Sequence, residues 1–371
     1  MAGAWADVSL HAVAANVETL RATCAPAEVC AVVKAGGYGH GAVPVARAAI
    51  DAGATWLAVA QVPEATALRA AGVGAPILLL SEPRPSELDQ ALAAEVAVTV
   101  YTHDLIDRLG AAARAGRRPV PVHLKVDTGM RRVGAAAADV VPMAEAISED
   151  RGLSLDALWT HCAVADDPDG AFTRGQLERF EASLAAVEAA GIEVPMRHAA
   201  NSAAAINHPA SRYDLVRCGI AIYGVPPSPG LADRIALEPA VRLATEVSFV
   251  KPVAAGDGIS YGLCHHVTRD TLVATLPIGY ADGVFRALGT GGQDVLVGGR
   301  RHPMVGVVTM DQVMVDVGPD SVVRAGDEAV LLGAQGRERI SPDEWAARLG
   351  TIAYEVVCAL GPRVERRYGA A

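Results

Sequence analysis

No two cysteines in this chain are spaced as C-x-x-C. The six present, Cys24, Cys30, Cys162, Cys218, Cys264 and Cys358, are scattered. That spacing offers neither a redox motif nor a zinc ribbon, and a reduced, cytoplasmic setting is expected. Basic blocks are missing as well. The net charge is −10, which argues against a nucleic-acid-binding surface. Runs of membrane-spanning length are also absent. The mean hydropathy of +0.26 comes mostly from alanine and valine, and polar residues interrupt every apolar run early. The opening MAGAWADVSLHAVAANVETL has no basic start and carries Asp7 and Asn16, unlike a signal peptide. No internal repeat or low-complexity tract stands out. No membrane or nucleic-acid partner is therefore expected.

What the chain does have is core-forming material. Of 371 residues, 51% are apolar and 20% charged, enough for two domains and against disorder. Short apolar runs recur at 29–35, 56–61, 76–82, 96–102, 122–128, 155–163, 196–202 and 213–222. Alanine-rich segments separate most of them. The segment 173–190 has helical spacing, with Leu177, Phe180, Leu184 and Val187 three or four apart. Near-continuous strands alternating with helices imply a parallel sheet covered by helices. Eight such units predict an α/β chain built on a (β/α)₈ TIM barrel.

The rhythm changes after YGVPPSPGLAD. AVRLATEVSFV alternates as a half-buried antiparallel strand does. TLVATLPIGY, DVLVGG, HPMVGVVTM, QVMVDVG and EAVLLG follow as further strands with glycine-rich turns. The expected organisation is a barrel over 1–235 and a mostly antiparallel β domain over 236–371. WADVSL also alternates, so residues 1–10 are candidates for pairing with the β domain.

Chemistry in such a barrel sits at the C-terminal ends of the strands. The polar residues that would be costly in a core fall there: Lys34, Lys125, Asp127, Arg132, His161, Asn201, Ser202 and Arg217, with Gly219 beside them. Lys34 is the sharpest case. It closes the apolar VCAVVK and precedes AGGYGHG. Most lysines so placed pack a stem and extend an ammonium to water. The functional reading is an amine nucleophile or base, as in a lysine bound to pyridoxal phosphate. GGYGHG lacks the G-x-G-x-x-G spacing of a dinucleotide site. His265 and His266, adjacent on a strand, face opposite sides and make a poor metal pair. No metal is implied.

At this point AVVKAGGYGHG, HLKVDTGMRRVG, WTHCA, HAANSAA, DLVRCGIAIYG, ISYG, PIGYADG, MDQVMVD and YEVVCAL, in order from about residue 5 to 368, resemble the successive motifs of the alanine racemases. These are barrel-type pyridoxal-phosphate enzymes. The resemblance implies interconversion of L- and D-alanine by two-base Cα proton transfer on a pyridoxal 5'-phosphate aldimine, supplying D-alanine for peptidoglycan. It implies that Lys34 holds the cofactor and that Tyr261, supplied by the partner in a homodimer with shared sites, is the second base. It places Tyr38, Ser202, Tyr354 and the backbone of Gly219 and Ile220 on the phosphate, Arg217 at the pyridine nitrogen, and His161 against the ring. Arg132, Tyr280, Met310 and Asp311 fall at the substrate carboxylate. Lys125 matches a lysine that many members carry as a carbamate.

Two bases on opposite faces are the direct solution to racemisation. An arginine at the pyridine nitrogen only donates, which leaves that nitrogen neutral. The chain departs from the usual family pattern at Gly36-Gly37, Arg131, Leu263–His266 and Thr309. A racemase of serine or another amino acid would share nearly all of these residues. A decarboxylase of the same architecture would want a carboxylate where Arg217 stands. A non-catalytic pyridoxal-phosphate-binding protein would need only the barrel.

Overall fold

The computed structural model describes residues 3–114, 116 and 118–369. The chain divides into two compact units. One is Ala12–Gly37 with Ala42–Glu238; the other is Met1–His11, Tyr38–Gly41 and Pro239–Ala371.

The strand β1 (Trp5–Ser9) belongs to the second of these. The first unit holds eight parallel strands: β2 (Glu28–Val32), β3 (Trp56–Val59), β4 (Ile77–Leu79), β5 (Ala97–Val100), β6 (Val120–Lys125), β7 (Leu153–Trp159), β8 (Met196–His198) and β9 (Leu215–Cys218). Their order is β8-β7-β6-β5-β4-β3-β2-β9. An isolated parallel bridge, Asn201↔Arg217, joins the two ends, which makes a near-closed (β/α)₈ barrel. Every residue of β4 and β5 is buried, as expected where side chains fill the barrel on one face and meet helices on the other. The helix Ala171–Ala189 buries Leu177, Phe180, Leu184 and Val187, the stripe predicted from spacing.

The first apolar run ends earlier than expected. The strand stops at Val32, and Lys34 opens a short helical segment, Lys34–Tyr38. Ala35, Gly36 and Gly37 all have left-handed backbone, at φ 53°, 63° and 65°. Left-handed turns cost roughly 1–2 kcal/mol per residue that carries a Cβ, so the glycine pair is what makes this turn cheap. The Glu64 carboxylate pins it. Oε1 accepts from Ala35 N at 2.5 Å, and Oε2 accepts from Ala60 N and Gln61 N at 2.9 and 3.0 Å.

The second unit is mostly antiparallel. Its larger sheet contains β10 (Val241–Glu246), with β1 paired antiparallel to it and β20 (Glu365–Gly369) parallel to β1. AVRLATEVSFV is not one strand. It breaks at Val247-Ser248, and β11 (Phe249–Val253) pairs in a different sheet. Val247 N bonds Asp327 O while Ser248 N bonds Thr275 O, so neighbouring residues serve separate sheets. The rest comprises β12 (Gly258–Ile259), β13 (His265–His266), β14 (Thr271–Leu276), β15 (Asp294–Val297), β16 (Arg300–Pro303), β17 (Val313–Asp316), β18 (Glu328–Gln335) and β19 (Glu338–Ile340). HPMVGVVTM is strand only at its start. Beyond β16, Met304 makes a single bridge to Val315.

Candidate active site

In the barrel unit the polar residues gather at the strand C-terminal ends. Arg217, at 2% exposure, is the hub. Its Nη1 lies 2.7 Å from His198 Nδ1. Its Nη2 donates to Thr160 O at 2.8 Å and Ala199 O at 2.9 Å, and lies 3.3 Å from His161 Nδ1. The guanidinium lies over the Trp159 ring, 4.5 Å from its centroid. Burial draws Arg217 down to about 10, which leaves it protonated at neutral pH.

His161 is held well below the usual imidazole range by burial, then by Arg217, Lys125, Arg132 and Lys34. It is a neutral ring. Asn201, half-buried, sits 3.5 Å from His161 Nε2 and caps the helix Ser202–Asn207 by accepting from Ala204 N. Ser202 Oγ accepts from Gly219 N at 2.9 Å. Ile220 follows, fully buried.

Lys125, 3% exposed, lies 4.3 Å from the centroid of the same Trp159 ring. Burial, followed by Arg217 and Arg132, pulls it down to about 7, against the opposing pull of Asp127. The loop after β6 turns on Asp127, whose Oδ1 accepts from Gly129 N and Arg131 N. Arg131 is left-handed at φ 57° and, like Arg132, exposed. This backbone is one where glycine costs least.

The β unit carries the remaining candidates. Tyr38 is buried, its hydroxyl raised by burial and then by Tyr354 and Cys358. The Tyr38 and Tyr354 rings lie 6.4 Å apart. Tyr261 is 76% exposed on the short turn Tyr261–Leu263. Ser260 fixes the entry to that turn by donating to Val307 O. A groove brings Tyr261 together with Leu263, Thr309 and Gln312. Two of the departures from the family pattern therefore stand beside the tyrosine.

Tyr280 N bonds Thr309 O, and Ala281 N bonds Met310 O. The two segments approach so closely that a Cβ on Gly279 would lie 2.3 Å from both Thr309 O and Met310 O. Tyr280 and Met310 are exposed. Asp311 is ion-paired with Arg363 at 2.9 Å, and Arg363 also holds Asp282.

Reading the sequence for strand-end residues missed His198, Trp159 and His123. His123 lies inside β6, and Trp159 and His198 are the last residues of β7 and β8. For His123 the available signal was a histidine in the apolar run VHL, whose residues are all buried.

Models of the alanine racemase N-terminal domain and C-terminal domain match residues 8–227 and 240–368. The chain is 48% identical over 365 residues to an alanine racemase of Symbiobacterium thermophilum, covering 98% of this chain and 97% of the relative. It superposes on the alanine racemase of Streptomyces lavendulae, a D-cycloserine producer, with TM-score 0.95 at 40% identity, over 100% of this chain and 98% of that one. For the Bacillus anthracis alanine racemase with bound L-Ala-P, the TM-score is 0.93 at 36% identity, over 100% and 95%. The chain belongs to the alanine racemase family, and it is an isomerase.

Proposed function

We propose that this chain interconverts L- and D-alanine with pyridoxal 5'-phosphate as cofactor and Lys34 and Tyr261 as its two bases. The observation that carries this reading is the environment of Arg217. Its guanidinium is buried and protonated, and it is surrounded by neutral acceptors. The donor set suits the cofactor. Lys34 supplies one amine for a carbonyl carbon. Ser202, Tyr38, Tyr354 and the Gly219-Ile220 backbone supply groups for a phosphate. Arg217 supplies a donor for a pyridine nitrogen, and His161 a neutral ring to lie against it. Pyridoxal phosphate, when bound, supplies the electron sink that makes the substrate Cα–H acidic.

Lys34 Nζ and Tyr261 Oη then move protons at opposite faces of Cα. Lys34 serves D-alanine and Tyr261 serves L-alanine. Arg132, braced by Lys125, binds the substrate carboxylate, with Tyr280 and the Met310 backbone positioning it and Asp311 nearby. Arg217 would donate to the pyridine nitrogen of the bound cofactor without protonating it. That donation would leave a weaker electron sink and favour return of the proton over side reactions.

The active form in this reading is a homodimer in which Tyr261 acts in the partner's site. The exposure of Tyr261 and Leu263 side by side on one groove of the β unit supports it, since adjoining exposed apolar side chains mark association surfaces. The product D-alanine would feed peptidoglycan synthesis. The purified protein should show a cofactor absorbance that borohydride reduces, and chiral analysis over a panel of L-amino acids should give D-alanine fastest. A protein without that chromophore, or one that racemises serine in preference, overturns the reading. The second outcome would point to Leu263 and Thr309 beside Tyr261.

A further inference from the structure

Inside the barrel, three side chains form a line. Arg217 Nη1 lies 2.7 Å from His198 Nδ1, and His198 Nε2 lies 3.0 Å from His123 Nδ1. All three are buried. Aromatic rings clamp the histidines. Trp159 stacks on His198 with centroids 5.3 Å apart, and Trp56 lies 5.3 Å from His123.

The proton positions follow from the first member. Arginine only donates, so His198 Nδ1 accepts and bears no proton. The neutral His198 ring then carries its proton on Nε2 and donates it to His123 Nδ1. His123 in turn keeps its own proton on Nε2. A second proton on His198 would set two donors against each other. Burial and the Arg217 charge act in the same direction, holding His123 down to about 3 and His198 well below its usual range.

The far end of the line is unfinished. His123 Nε2 has no hydrogen-bond partner among the described residues, and neither does Thr99 Oγ1. Thr99 and His123 are register partners on β5 and β6, so their side chains leave the same face of the sheet as neighbours. Two buried polar atoms without protein partners on adjacent strands are what an internal water satisfies.

We propose that His123 is a positioning residue for the racemase reaction. It fixes His198 as a pure acceptor toward Arg217, and its own Nε2–H is held by a buried water shared with Thr99. Without an acceptor at His123 Nδ1, the His198 Nε2–H is orphaned. The ring then gains by moving its proton to Nδ1, where it opposes Arg217. The proposal rests on Arg217 facing the cofactor, as argued above.

The test begins with the tautomers. In holoenzyme labelled with ¹⁵N-histidine, both rings should be neutral with Nε2 protonated, and should stay so from about pH 5 to 8. The charged groups around them are Arg217, which stays protonated, and Lys125, which gains its proton as the pH falls through about 7 and so disfavours a second proton on His198 further. An Nδ1-protonated or imidazolium form of either ring overturns the proposal.

Two variants separate position from packing. His123→Asn keeps a carbonyl acceptor near Nδ1, whereas His123→Leu removes it. His123→Leu should shift the His198 nitrogen resonances and the cofactor absorbance, and lower kcat roughly tenfold with KM little changed, on the scale seen for other outer partners of functional groups. His123→Asn should restore most of this. Unchanged His198 resonances in His123→Leu sink the idea. Should that variant not fold, Thr99→Val tests the same line. Loss of the bridging water should shift the His123 Nε2 resonance, and an unmoved resonance counts against the water. A high-resolution crystal structure should show density between Thr99 Oγ1 and His123 Nε2. If the tautomers are as expected but the cofactor spectrum ignores both His123→Leu and Arg217→Glu, the relay stands and the placement of Arg217 at the cofactor fails.

Discussion

Arg217 Nη1 and His198 Nδ1 are 2.7 Å apart inside a barrel that admits neither to water. The pair fixes the direction of one hydrogen bond. The arginine gives and the histidine receives, so the guanidinium stays cationic and turns its remaining donors elsewhere. Everything proposed for the electronics of the site depends on that direction.

Arg217→Glu reverses it. A carboxylate next to His198 would accept where the guanidinium donated, and at a pyridine nitrogen it would hold a proton on the ring. Racemisation should fall on the order of 10²- to 10³-fold, the scale for losing one preorganised donor. Keto-acid product from transamination should rise relative to racemised alanine. Chiral chromatography together with a keto-acid assay reads both. An unchanged ratio would show that Arg217 does not tune the sink.

Lys125 should respond to pH and to carbon dioxide. Its ammonium is disfavoured by burial and by Arg217 and Arg132, with the folded value near 7 against 10.5 for the free side chain. Between these values the unfolded chain binds the extra proton, so in CO₂-free buffer stability should increase as pH rises from about 7 to 10. The penalty is fully present below 7. The neutral amine also attacks CO₂, forming a carbamate with release of one proton. The resulting anion would sit among cations. Labelled bicarbonate should give a ¹³C carbamate resonance that disappears in Lys125→Ala, and that variant should raise KM through a loosened Arg132. No resonance at pH 8 and unchanged KM would rule the modification out.

The turn after β2 predicts an ordering of two alanine substitutions. At Gly36 an added Cβ meets nothing within 4 Å, so only the φ of 63° is penalised, by about 1–2 kcal/mol. At Gly37 the Cβ would also lie 3.1 Å from Ala42 N and 3.2 Å from Ala42 Cα. Denaturant unfolding should therefore show Gly37→Ala to be the more destabilised. If Gly36→Ala is neutral, the turn is not left-handed in solution.

These cases show where sequence reading succeeds and stops. The barrel was legible because strands covered on both faces read as unbroken apolar runs, and eight of them recur before the prolines near 226. The turn after Lys34 was legible as a turn, but its handedness was not, since Gly-Gly permits either sign of φ. The break at Val247-Ser248 was invisible because alternation of apolar and polar residues continues through it, although the hydrogen-bond partners change. The relay was hidden for another reason. His123 and His198 are 75 residues apart in sequence, on strands β6 and β8 that flank β7, so their contact depends on the order of strands in the sheet. A histidine within an apolar strand looks structural until its partners are known.

The last prediction concerns how a site is assembled. Lys34 lies in the barrel unit and Tyr261 in the β unit. Tyr261 is largely exposed, which suits a residue that completes another subunit's site. In a closed two-fold dimer each protomer would lend its tyrosine to its partner. Lys34→Ala and Tyr261→Ala should each be nearly inactive alone. When they are mixed under conditions that exchange subunits, heterodimers form. One site of each heterodimer then carries both lesions. The other combines an intact lysine from one chain with an intact tyrosine from the other, so activity should return to as much as about half that of the wild-type dimer per heterodimer, given two equivalent sites. If every site were built within one chain, each would keep a lesion and mixing would restore nothing. Tagging one variant and capturing the mixed species confirms that exchange occurred, so an inactive captured heterodimer rejects the shared site outright.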